Sequence, residues 1–275
     1  FLTYNCFMQI FGNKIFEKPI EIIEAFDNKS FIESFYKIED YRKRPNIYLL
    51  GYIRYEAKEI FLNKKIKSKF PLLYFEVFDK YSQKDIEAKS IYYLKYAPKI
   101  KLSEYTKTIN KIKKEIEKGN TYEVNYTVDY EIETNVDGFE LYKSILPNQI
   151  TPYNAYIKNK YEELLSFSPE LFFTLENEVI TTKPMKGTIG RGNDDIEDKT
   201  NIEFLKKDVK NRAENVMIVD LLRNDLGKIA TVGSVKVDKL FEIESHKTVH
   251  QMTSTISANL DEKTNLCKIH KKRPG

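Results

Sequence analysis

The stretch YNAYIKNKYEELLSFSPELFFTLENEVITTKPMKGTIGRG, residues 153–192, decides the fold. Four short runs within it carry β-branched and aromatic residues: Tyr153 to Ile157, Leu164 to Phe167, Leu171 to Leu175 and Val179 to Thr182. Polar turn residues separate them, the pattern of successive antiparallel strands. The run then closes on Lys183-Pro184-Met185-Lys186-Gly187-Thr188. Glycine opens left-handed backbone and close approach, and proline fixes the entry to a turn. Lys186 therefore reads in two ways. It is a solvated lysine on a hairpin-like turn, or it is an amine presented rigidly as a nucleophile.

Working outward, Val232 to Ile243 and Thr248 to Leu260 return to strand pattern. Residues 201–226, which precede both, read as one helix, with Val209, Ala213, Val216, Met217 and Val219 to Leu222 apolar and Gly227 as its end. Upstream, Ser103 reads as an N-cap. Ile109, Ile112 and Ile116 follow at helical spacing, and Gly119-Asn120 is a stop. From Thr121 to Thr134, Tyr122, Val124, Tyr126, Val128, Tyr130 and Ile132 alternate with polar residues, which predicts one long strand with its apolar face in the core. Its polar face is open to two readings, solvent or cavity lining. Gly138 to Leu146 reads as a short helix, and Ile47 to Tyr55 and Pro71 to Phe78 as buried strands. Long antiparallel strands with interposed helices predict an α+β fold, an antiparallel β-sandwich with helices.

Composition narrows the functional classes. A formal net charge of +4 spread over 275 residues gives no reason to expect nucleic acid. The longest apolar runs are too short to span a bilayer, so no membrane partner is expected. Cys6 and Cys267 match no zinc or disulfide spacing, and a reduced, cytoplasmic setting is expected. Phe1 is not an initiator methionine, so the chain is expected to be incomplete at its front.

Six blocks occur in one order: Thr121–Thr127 (TYEVNYT), Pro152–Tyr156 (PYNAY), Ser166–Phe172 (SFSPELF), Lys183–Thr188 (KPMKGT), Ala213–Gly227 (AENVMIVDLLRNDLG) and Val249–Thr255 (VHQMTST). In that order they resemble the chorismate-utilising enzymes, a family that includes anthranilate synthase component I, aminodeoxychorismate synthase component I, isochorismate synthase and salicylate synthase. The resemblance covers residues 100–262. It implies an anthranilate synthase component I-like fold, divided as residues 1–100 (N-terminal region), 101–262 (partial chorismate-binding domain) and 263–275 (divergent basic tail). Two positions narrow the branch. Anthranilate synthases usually carry alanine where this chain has Lys186, and lysine there resembles aminodeoxychorismate synthase component I. Enzymes that add water to chorismate usually carry lysine at Glu123. Ammonia-using members usually carry glutamine there, so Glu123 departs from both.

The resemblance implies the following chemistry. Lys186 attacks C2 of chorismate as the C4 hydroxyl leaves. Glu170 protonates the departing oxygen, and ammonia adds at C4 and expels the lysine. Direct attack by ammonia is the alternative route. Gly187 and Thr188 are expected to bind substrate, and Glu214 to hold Mg²⁺. A second acid often stands where this chain has Asn211. A glutamine amidotransferase subunit is the implied ammonia source. A nucleophilic lysine must be neutral, and bringing any lysine from about 10.4 to about 7 costs roughly 4.6 kcal/mol. Lys183 and Arg191 could supply cationic repulsion to that end. An acid that protonates a leaving group must keep its proton, which calls for a secluded Glu170. The family histidine aligns with Gln251, so His250 is read as a strand residue.

The family continues well past the Gln251 block, and its later motifs are absent here. An inactive truncation is therefore expected for these 275 residues. Anthranilate synthase component I, or a non-catalytic fragment that binds the amidotransferase, are the alternatives.

Overall fold

The protein is described by a computed structural model that covers residues 7–87, 93–149, 151–261 and 264. Cys6, Cys267 and the basic stretch from Asn265 onward lie outside the described residues. The chain divides into two compact units, residues 1–86 with 146–275, and residues 87–145.

The larger unit begins with β1 (Gln9–Phe11), β2 (Lys14–Phe16) and β3 (Glu21–Ala25), which lead into α1 (Asn28–Arg42). Next come β4 (Tyr48–Ile53), a 3-10 turn at Tyr55–Ala57, α2 (Lys58–Phe61), β5 (Leu73–Phe78) and β6 (Ser82–Gln83). The smaller unit holds β7 (Leu94–Pro98), α3 (Leu102–Glu117), β8 (Tyr130–Thr134) and α4 (Gly138–Ile145). The chain then re-enters the larger unit with β9 (Tyr153–Lys158), β10 (Glu163–Ser168), β11 (Leu171–Glu176), β12 (Val179–Lys183) and β13 (Met185–Gly190). It ends with α5 (Asp195–Lys207), α6 (Val209–Gly227), β14 (Lys236–Ser245) and β15 (Val249–Asn259).

The named strands pair antiparallel, and helices interrupt them, so the architecture is α+β as the sequence predicts. One sheet runs β10-β9-β1-β2-β6, a second runs β3-β5-β4, and a third runs β11-β12-β15-β13 with β14 on β15. The first two pack as a sandwich. Phe16 and Ile157 from one meet Leu50, Tyr74 and Phe78 from the other. Helix α1 covers the far face of the three-stranded sheet. Asp27 caps it and accepts the Ser30 backbone N–H at 2.9 Å, and Phe31, Phe35 and Ile38 recur at helical spacing on its buried side.

A buried polar bridge also crosses the sandwich. Gln9 of β1 donates to the Lys158 carbonyl at 2.6 Å and to Glu76 Oε1 of β5 at 3.1 Å. Glu76 is 3% exposed. Its Oε2 has no partner, and burial pushes its carboxyl up to about 7.

Three sequence expectations are corrected. The strand predicted over 121–134 forms only at Tyr130–Thr134, because β7 is five residues long and pairs with those five alone. Its apolar positions are not core: Tyr122 is 82% exposed and Ile132 53%. Helix α3 begins beyond Lys101, so Ser103 lies inside the first turn rather than at the cap. The single helix predicted over 201–226 is two helices. Asp208 leaves the helical region (ψ 115) and its carboxylate accepts the Asn211 N–H at 2.8 Å, which caps α6.

Candidate active site

The third sheet positions the motif residues. Residues Val179 to Thr182 pair with Asn259 to Ile256, and residues Met185 to Gly190 pair with Thr253 to Val249. β12 and β13 therefore lie end to end along one edge of β15. Lys186 is not on a hairpin turn, as the proline and glycine led one to expect. Pro184 cannot donate to a ladder and interrupts the pairing, but β15 has eleven residues and is long enough to serve both flanking segments.

Lys186 instead sits in a β-bulge. Met185 opposes Thr253 and Thr188 opposes Gln251, so three steps along β13 match two along β15. Gly187 takes up the extra residue at φ +93. A bulge bends its strand and re-aims the side chains within it. A Cβ on Gly187 would also meet the Asn211 side chain of α6 at 3.1 Å. Gly187→Ala is therefore expected to destabilise the fold by about 1–3 kcal/mol, read as a lower urea midpoint at unchanged slope. An unshifted midpoint would mean that the bulge relaxes freely.

Around this bulge, Lys186 and Gly187 are half-buried and Thr188 is exposed. Glu170, at the turn before β11, is exposed rather than secluded. Its Oε1 lies 3.4 Å from the backbone N–H of Met185, the residue before Lys186. Glu170 also lines a cavity of about 390 Å³ with Leu171, Pro184, Ile218 and Asp225; Lys186, Gly187 and Glu214 are not in its lining. Glu214 is half-buried on α6, one turn after Asn211, with Lys210 Nζ at 3.9 Å. The structure thus sets Glu170 against the backbone next to the bulge of Lys186 and Gly187, with the Asn211 turn of α6 against Gly187.

Among the described residues, no three carboxylate, imidazole or thiol groups gather as a metal site. Glu214 offers one carboxylate, a partial shell for Mg²⁺, which is commonly held by one or two protein carboxylates with water and substrate oxygens.

The two cations expected to repel a proton from Lys186 are both paired with acids. Lys183 forms an ion pair with Glu244 of β14, which also accepts from Thr253 Oγ1 at 3.3 Å. Arg191 grips Asp198 with Nε and Nη2, each at 2.8 Å. That fork and the Gly192 N–H hold the Asp198 carboxyl well below the usual carboxylate range. His250 is fully buried in β15, with Nε2 2.9 Å from Asp198 and Nδ1 2.8 Å from Ser245 Oγ. Both ring nitrogens are engaged, and it is a strand residue as read from the sequence. Sequence reasoning missed Asp198, whose signal was its place seven residues after Arg191. It also missed Asn215 and Ser254, which stand inside recognised blocks but carry no charge.

Comparison with known proteins shows the family. Residues 94–272 match a family described as chorismate binding enzyme. Aminodeoxychorismate synthase component 1 of Salmonella typhimurium is 37% identical over 159 residues, 58% of this chain and 35% of that protein. Anthranilate synthase alpha subunit 1 of Oryza sativa subsp. indica is 36% identical over 157 residues, 57% of this chain and 27% of that protein. These matches span about a third or less of each relative's length. The crystal structure of anthranilate synthase component I from Streptococcus pneumoniae superposes with a TM-score of 0.74 at 18% identity, covering 99% of this chain and 71% of that one. That likeness shows the fold. Among the described residues, no helix is long and apolar enough to cross a membrane.

Proposed function

The chain belongs to the chorismate-binding enzymes, and from that premise we propose that it serves the conversion of chorismate and ammonia to 4-amino-4-deoxychorismate, the precursor of p-aminobenzoate and folate. The observation that carries this reading is Lys186 in the bulge of β13, with the Glu170 side chain 3.4 Å from the backbone N–H of the preceding Met185. The Lys186 amine attacks C2 of chorismate, the ring double bond shifts, and the C4 hydroxyl leaves with a proton from Glu170. Ammonia then forms the C4–N bond as the C2–N bond to lysine breaks. Chorismate and ammonia go in, and the aminated product and water come out. Both carboxylates and the pyruvyl group are kept. The Gly187 backbone and the Thr188 hydroxyl bind substrate, and their place beside Lys186 in the bulge supports that role. Glu214 would give one oxygen ligand to Mg²⁺, whose charge would offset the ring carboxylate. A glutamine amidotransferase partner would supply ammonia, in a cytoplasmic setting.

The test is a product assay with chorismate and ammonium, run on the 275-residue chain and on the same chain extended to its relatives' length. The extended chain is expected to release 4-amino-4-deoxychorismate. Release of anthranilate, the product of the other similar branch, would overturn the assignment. The short chain run beside it separates lineage from competence.

A further inference from the structure

Ser254 stands where three elements meet. Its backbone N–H donates to the Pro184 carbonyl at 3.1 Å, on the approach to the Lys186 bulge. Its Oγ accepts the Phe241 N–H at 3.2 Å. Its hydroxyl proton goes to Asn215 Oδ1 on α6, at 2.6 Å. Ser254 and Asn215 are both 0% exposed.

Phe241 itself lies in a second irregularity. Lys239 opposes Thr255 and Glu242 opposes Thr253, so β14 also bulges, and Phe241 holds φ +59. That backbone region is costly for a bulky side chain and persists when its surroundings enforce it. Here the Arg212 guanidinium of α6 covers the Phe241 ring at 4.5 Å. Two bulges, one on each side of β15, thus converge on a single serine, and the helix behind them is bonded to the same hydroxyl.

We propose that Ser254, acting with Asn215, is a positioning residue that fixes the bulge carrying Lys186. The proposal rests on the reading of Lys186 as the reacting amine. Removing the hydroxyl leaves the half-buried Phe241 N–H and the fully buried Asn215 Oδ1 without it. Asn215 Nδ2 already lacks a partner there. Unpaired buried groups are expensive, and the cheapest relief is for the strands to shift at their bulges. Lys186 moves with such a shift.

The test uses potassium cyanate, which carbamoylates neutral amines, on the 275-residue chain. Lysine-by-lysine rates are read by peptide mass spectrometry from pH 7 to 10. In Ser254→Ala the Lys186 rate is expected to change at least three-fold and its pH profile to move, while the remote lysines Lys14 and Lys58 keep theirs. Ser254→Thr restores the hydroxyl and with it the wild-type profile. Asn215→Ala, which removes the helix arm alone, moves the Lys186 profile in the same sense. A change below three-fold in folded Ser254→Ala overturns the proposal. If circular dichroism finds that variant unfolded, Asn215→Ala decides by the same criterion. Neither chorismate nor turnover enters the measurement, so a wrong nucleophile assignment would appear in adduct mapping and not here.

Discussion

Lys186→Ala, made in the chain extended to its relatives' length, is expected to slow 4-amino-4-deoxychorismate formation about 10³-fold, or about 4 kcal/mol of transition-state stabilisation. The loss should fall on kcat more than on KM, because in the proposed mechanism bond formation at C2 exists only on the way to the intermediate. Lys186→Arg should not rescue, since a guanidinium stays protonated and is no nucleophile. Folding should survive. The bulge is set by Gly187 at φ +93 and by the pairing of Met185 and Thr188 with β15, not by the lysine side chain. Glu170→Gln should cost about 10²–10⁴-fold by removing the proton for the leaving oxygen. Steady-state kinetics on the three variants decide the matter. A Lys186→Ala rate within ten-fold of wild type would transfer the chemistry to direct attack by ammonia.

The second large effect concerns stability. Glu76→Gln is expected to stabilise the protein by about 3 kcal/mol at pH 8 and by almost nothing at pH 4. Glu76 has an ordinary value of 4.5, and burial raises it to about 7 in the fold. Its hydrogen bonds from Tyr74 and Gln9 pull the other way but are outweighed. Below pH 4.5 folded and unfolded chains both hold the proton, and the site costs nothing. Between 4.5 and 7 the fold holds a proton that the unfolded chain has lost, so stability falls as pH rises. Above 7 the buried carboxylate is charged and the penalty is complete. Glutamine keeps the shape and an acceptor for Gln9 and Tyr74, and it cannot ionise. Urea denaturation of both proteins at pH 4, 6 and 8 tests this. Parallel curves for wild type and variant would show that Glu76 does not titrate in the fold.

Much of the fold was legible because strand and helix periods are local. Residues 153–182 alternate and turn where β9 to β12 form, and the helical spacing of Ile109, Ile112 and Ile116 marks α3. The failures have a common cause, which is that pairing and capping are settled by partners. Tyr122 to Val128 alternate as a strand should, yet β7 ends at Pro98 and offers them no ladder. Asp208 looked like one polar residue in a helix until its carboxylate capped the next one. In the candidate site, Lys186, Gly187 and Glu170 were named from motifs, and Glu170 lies against the backbone N–H of Met185, but the bulge was not foreseen. Lysine, proline and glycine spell a turn equally well, and the choice was made by β15, sixty residues later. The pairings of Lys183 with Glu244 and Arg191 with Asp198 were likewise hidden, because opposite charges find each other in space rather than along the chain.

The most direct measurement is peptide mapping by mass spectrometry after the extended chain meets chorismate without ammonium. An adduct of chorismate less one water on the peptide that holds Lys186, discharged as aminated product when ammonium is added, is the predicted result. An unmodified Lys186 in a chain that still makes 4-amino-4-deoxychorismate would contradict the account.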